Sequence, residues 1–473
     1  MAVPLPKPDV SVLASMPISQ ELAAFASSFD YEAIPGAMRA RAKHLALDAV
    51  GIALASTQFD FAHRTLSALA DLGGDGARAV LGFSSRLPLR DAVLMNALLV
   101  HGLDYDDTHV PGIIHTSASS LPLALGVAAH LDRSGRELLA AYVLATEISA
   151  RLGSVAKGAF HQTGFHPTGL IGTFGCILAA GFLFGMNAAQ LKMAQGIGLS
   201  LTSGSLEFLE DGAWTKRIHP GWAGVAGITA ASLARRGFVG PSAAYEGRFG
   251  VFPSYLGARA SECDYSLATR GLGKIWEMEN VAVKPYPACH FVHACTDAAI
   301  ALRSQGVRAG EIVHVRALVP QGVVKTVCEP AANKRRPANS YDAKFSIPYA
   351  VATALVRGRF GLAELEEPAL RDAQVLALAD KVDYEADPNS GFPKWYSGEV
   401  VIRLRDGREL AHREQINRGA ADRPLANEEI IAKFMENAQL AVSPARAAEM
   451  RDAILSMDGP AVRARELEPV LGA

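Results

Sequence analysis

The sequence has few cysteines and none in a close pair. Its five, Cys176, Cys263, Cys289, Cys295 and Cys328, are scattered among 473 residues, and no CxxC occurs. That spacing argues against a disulfide framework, a zinc ribbon and the clustered thiolates of an iron–sulfur centre. Such cysteine usage fits a reduced, cytoplasmic chain. A surplus of either charge is also missing. Lys and Arg total 46 against 48 Asp and Glu, for a formal net charge of −2. With no basic excess, neither a nucleic acid nor an anionic membrane surface is expected as a partner. There is no P-loop, no GxGxxG after a strand, no HExxH and no GxSxG, so the usual signs of nucleotide chemistry and serine hydrolysis are absent. The first nine residues carry three prolines and no apolar run of signal length. They read as neither a secretory signal nor a transit peptide.

What is present is an ordinary globular balance, 49% hydrophobic and 20% charged. At roughly 100–200 residues per domain, the length predicts two to four domains. The first part reads as helices over 38–55, 90–103, 137–152 and 220–236, with Asn187 capping another that runs to 201. Gly237 is a helix stop. Residues 167–186 hold no charge. That stretch reads as a buried helix of a large helical core, with a membrane span as the alternative. Near residue 275 the pattern changes. Strands are expected over 311–319, 381–385, 399–404 and 408–411, the last two joined by the Asp406–Gly407 turn. Helices are expected between them, over 291–304 and 346–356. Beyond Asn427 the pattern is helical again, through 430–440 and 444–457. The fold expected is mainly α: a large discontinuous helical-bundle domain, residues 1–273 and 416–473, plus a smaller α+β lid domain, residues 274–415.

Five clusters could carry chemistry. His101, Asp104, Asp106, Asp107, Thr108, His109 and His115 crowd the end of an apolar helix. Carboxylates and imidazoles in that density suit proton transfer, or a divalent metal in a hydrolase. His166 stands in a Phe-His-Pro-Thr-Gly turn opening the uncharged stretch. Lys216, Arg217 and His219 form a cationic corner suited to carboxylate or phosphate. Lys284 lies between an apolar run and Pro-Tyr-Pro, where an amine loses its proton more readily. Cys289 and His290 follow it. Last come Lys334, Arg335 and Arg336, then Lys344 ahead of Phe-Ser-Ile-Pro-Tyr.

His101-x-x-Asp-Tyr-Asp-Asp-Thr108, the His166 turn, Thr215-Lys216-x-x-His219, Lys284-Pro-Tyr-Pro and Phe345-Ser-Ile-Pro-Tyr349 occur in the order seen in the MmgE/PrpD superfamily. The resemblance covers roughly residues 20–460. It implies a homodimer without metal or organic cofactor, acting on a small polycarboxylate by proton movement alpha to a carboxylate. The family includes 2-methylcitrate dehydratase, cis-aconitate decarboxylase and iminodisuccinate epimerase. Dehydration is the expected reaction, with decarboxylation or epimerisation as alternatives. By position, the resemblance implies catalytic roles for Asp104, Thr108, His115, His166 and Lys284. It implies substrate binding by Lys216, and the cationic corners add Arg217, His219, Cys289, His290 and Lys344. Lys284 is the first candidate for the base. In the decarboxylase branch a His stands five residues after the second lysine, where this chain has Cys289. The epimerase branch has a Tyr just before the His166 turn, where this chain has His161.

Overall fold

The computed structural model describes residues 16–472, so the proline-rich start lies outside the described residues. The chain is 58% helical with only small sheets, and is therefore mainly α. The first half is built on α1 (Gly36–Ser56), α2 (Leu89–His101), α3 (Thr116–His130), α4 (Gly135–Val155), α5 (Gly172–Leu183) and α6 (His219–Arg235). A capping box of Ser134 and Glu137 opens α4. Just past α6, Gly237 takes φ +89°, a backbone that only glycine adopts without strain.

Helix α5 lies against both α4 and α6. Small residues allow this. A Cβ at Gly227 on α6 would stand 2.6 Å from the Cβ of Cys176 and 2.9 Å from its backbone. The uncharged stretch is buried, but it is not one helix. It runs Pro167–Leu170 and then α5, broken at Ile171. Thr202 Oγ1 donates to the Leu170 carbonyl at 2.5 Å, which diverts that carbonyl from the helical ladder. Among the described residues, one unbroken helix, α4, is long and apolar enough to cross a bilayer, and it is almost wholly buried among its neighbours.

From residue 282 the chain changes character. Here α7 (His293–Ser304) and α8 (Ile347–Arg357) pack together beside a four-stranded sheet. Its strands are β1 (Ile312–Val319), β2 (Val382–Ala386), β3 (Gly398–Leu404) and β4 (Glu409–Glu414), in the order β2-β1-β3-β4. β2 runs parallel to β1, and the other pairs are antiparallel. Helix α7 lies on β3 and β4. The last helices include α9 (Asn427–Ala438) and α10 (Pro444–Leu455), and both pack on α1.

The apolar core forms two clusters. One combines residues 18–283 with 425–471, and the other gathers 282–404 together with Val110, Ile113 and Phe208. A two-residue antiparallel ladder, Thr108–His109 against Val281–Ala282, ties the end of the α2–α3 loop to the chain just before Lys284. The candidate site forms on this seam.

Candidate active site

Helix α2 stops at His101, and the chain turns sharply. Asp104 sits at φ +53°, in the left-handed region that few residues other than glycine, asparagine and aspartate adopt. Its Oδ1 accepts from Lys216 Nζ at 2.9 Å and from Lys284 Nζ at 2.8 Å. Lys284 also donates to the Asp104 carbonyl at 2.8 Å. All three side chains are almost fully buried. Burial opposes ionisation of Asp104, but the two ammonium groups win and hold it well below the usual carboxylate range. Two cations share one carboxylate oxygen here, and a second carboxylate, Asp106, belongs to the same cluster, 2.8 Å from His101 Nδ1 and held below its usual range by the neighbouring imidazoles.

Three imidazoles gather beside it. His115, just ahead of α3, places Nδ1 2.9 Å from the Asp107 carbonyl. Since a carbonyl only accepts, Nδ1 carries the hydrogen and Nε2 is left as the free ring nitrogen. Thr108 Oγ1 lies 3.5 Å from the same ring. His166 stacks on His101 at 5.6 Å and meets His219 nitrogen to nitrogen at 3.0 Å. Burial first, and the Lys216 charge next, push His166 well below its ordinary value; burial does the same to His115. Asp107 faces away from the lysines. It accepts from the Ser117 backbone N–H at 3.1 Å and from the Ser117 hydroxyl. Burial raises it to about 7.

Asp104, Thr108, His115, His166, Lys216, Lys284, Cys289 and His290 line one cavity. Phe208, Phe291, Phe345 and Tyr396 close it with an apolar wall. Three of the expected binding residues stand elsewhere. His219 sits behind His166. Arg217 and Lys344 open onto a neighbouring cleft, because each is turned toward a backbone carbonyl. Cys289 is on the wall, but burial raises its thiol to about 11, which leaves it a poor nucleophile. Its neighbour His290 meets Asn417 Nδ2 at 3.0 Å, and burial lowers it to about 3.

The sequence reading passes over several wall residues. His161, noted in the sequence only as standing where the epimerase branch has a Tyr and given no role, lies in a short helix and is lowered to about 4 by burial. Phe208, Thr326 and Tyr396 come from stretches without any chemical cluster, and only folding brings them in. Among the described residues, two groups could gather metal donors, His101–His115–His166 and Asp104–Asp106–His115, each with atoms within 4.8 Å. The second group depends on Asp104, whose Oδ1 already accepts from two ammonium groups.

Comparison with known proteins points the same way along nearly the whole chain. The cis-aconitate decarboxylase of Homo sapiens is 28% identical over 423 residues, 85% of this chain and 84% of that protein. The cis-aconitate decarboxylase of Aspergillus terreus is 24% identical over 478 residues, 96% of this chain and 95% of its own length. That of Mus musculus is 27% identical over 408 residues, 84% of this chain and 82% of its own. Residues 20–264 match the MmgE/PrpD N-terminal domain and residues 286–458 match the MmgE/PrpD C-terminal domain, so the chain belongs to the MmgE/PrpD family.

Proposed function

We propose that this family member is a cofactor-independent carboxy-lyase that releases CO2 from a small tricarboxylate of the cis-aconitate type. The observation that carries the reading is Asp104 Oδ1 between Lys216 and Lys284, facing a cavity that also presents His115 and His166. The similarity to three cis-aconitate decarboxylases moves the choice from dehydration, the reaction first expected, to decarboxylation. The reading includes the division into a helical domain, residues 1–273 and 416–473, and a lid, residues 274–415.

In such a substrate one carboxylate sits on a CH2 beside the carbon–carbon double bond. Breaking its C–CO2 bond releases CO2 and moves that electron pair into a new double bond. The former alkene electrons then take one proton at the far carbon. Negative charge gathers at the carboxylate on that carbon, and cations nearby lower the barrier. Lys216 and Lys284 supply them, and they hold the carboxylates that stay behind. Lys284 donates to two oxygens of Asp104, so its contacts suit an anchoring cation better than a free base. His115 is the proton carrier, through Nε2. A bound polyanion raises its affinity for a proton, so the acid forms as the substrate arrives.

Dehydration of a hydroxylated tricarboxylate is the second reading. It rests on Thr108 Oγ1, close enough to His115 to assist a leaving hydroxyl. A proton NMR time course in D2O with cis-aconitate, 2-methylcitrate, citrate and iminodisuccinate separates these. Itaconate formed from cis-aconitate, and lost in Lys284→Ala, is the expected result. A vinyl signal from 2-methylcitrate alone would move the protein to the dehydratases. Deuterium wash-in without conversion would make it an epimerase.

A further inference from the structure

Four successive backbone carbonyls in the Asp104 turn each accept a hydrogen bond from a different basic side chain. Gly102 O takes Arg217 Nε at 2.8 Å, and Leu103 O takes Lys344 Nζ at 2.6 Å. Asp104 O takes Lys284 Nζ at 2.8 Å, and Tyr105 O takes Lys433 Nζ at 3.0 Å. The donors lie 115, 241, 180 and 328 residues away in sequence. Gly102, Leu103 and Asp104 are buried, so their carbonyls must find partners within the protein. Four long basic side chains from distant stretches supply them at a cost in side-chain entropy, and in doing so they fix the path of the turn.

Two of the donors are themselves held by further contacts. The Arg217 guanidinium lies 4.5 Å from the ring centres of both Phe61 and Tyr341. Lys433 pairs with buried Asp48 at 2.7 Å and stands 3.7 Å over the Tyr105 ring. Tyr341 and Lys344 share one short helix, Ser340–Lys344, which belongs to the sheet-bearing part of the chain. Lys433 comes from α9, which returns from the C-terminal end. The turn is therefore held from three separate regions.

We infer that Arg217, Lys344 and Lys433 are positioning residues: through the carbonyls of Gly102, Leu103 and Tyr105 they hold Asp104 in its left-handed conformation, so that a single carboxylate oxygen meets both Lys216 and Lys284. Because Lys344 arrives with the sheet-bearing part, the catalytic turn takes its working shape only when that part is seated on the helical core. This rests on the proposed reading of the Asp104 cavity as the active site, and it gives Arg217 and Lys344 a different role from the substrate binding expected of them.

Two readouts test it, on the full-length protein. The first is hydrogen–deuterium exchange of the peptide spanning residues 101–108, without substrate. Lys344→Met and Arg217→Lys should each speed exchange there, while peptides from α4 and α5 stay unchanged. The second is steady-state kinetics on whichever substrate the wild type converts. Both variants should lose about tenfold or more in kcat with KM moved far less, as expected for a misplaced catalytic group. Unchanged exchange in both variants overturns the inference. So does a tenfold rise in KM at constant kcat, which would return the two side chains to substrate binding. If the wild type converts nothing in the panel while exchange rises in the variants, the reaction reading fails and the positioning role stands.

Discussion

At Asp104, one carboxylate oxygen balances two ammonium groups, and removing any member leaves buried charge unpaired. Lys284→Ala and Lys216→Ala are each expected to lower kcat/KM by about 100-fold or more, the scale of losing a preorganised charge at a developing anion. Asp104→Asn should do the same while lowering substrate affinity less, because the cations remain. Steady-state kinetics on the three purified variants checks this ordering. The histidines add a pH signature. His115 and His166 lie below their ordinary values in the empty site, so binding a polyanion must draw protons in. Raising the pH should therefore weaken binding, and calorimetry in buffers of differing ionisation enthalpy should show net proton uptake. Lys216, Lys284 and His166 stand in recognisable sequence motifs. Which carbonyl Arg217 or Lys344 turns to is not written in any motif, since the partner lies over a hundred residues away.

Among the elements, the α4–α5–α6 contact shows how composition sets geometry. Glycine and alanine bring backbones close, and dispersion contacts between them replace large side chains. Gly227→Val would push a branched side chain against the Cys176 backbone. Valine would gain some helix propensity over glycine, up to about 1 kcal/mol, but overpacking costs about 3 kcal/mol and dominates. A clear drop in thermal midpoint is the expected result, with the family resemblance of the site untouched. Three strands were readable from alternation to within a residue, because β-branched residues leave a strong local signal; the last, expected to end at 411 after the Asp406–Gly407 turn, runs three residues further, to Glu414. The break at Ile171 was not readable. It depends on Thr202, a hydroxyl that reaches Leu170 only after the chain has folded back.

For the whole molecule, buried histidines make acid the weak side. His101, His115, His161, His166, His219, His290 and His293 all have values lowered in the folded state, chiefly by burial. Below pH ~6.5 the unfolded chain takes up those protons first, so each histidine removes stability as pH falls toward its folded value, by about 1.4 kcal/mol per pH unit. Asp107 and Glu147, both raised to about 7, and Asp48 and Asp297, also raised by burial, act the opposite way, because their folded forms hold the proton above pH ~4. The histidines outnumber them, so the urea midpoint should fall between pH 7 and pH 5; a midpoint that rose would show the carboxyls in control. Charge balance, cysteine spacing, helical periodicity and the order of the motifs are local or additive properties, and the sequence by itself determined them: a mainly α chain of a recognisable family. Tertiary structure alone decided that Arg217 and Lys344 turn to the carbonyls of one loop, that Phe208 and Tyr396 wall the cavity, and that Asp104 takes a left-handed backbone. Each of these depends on burial and on partners distant in sequence, and only the folded chain supplies them.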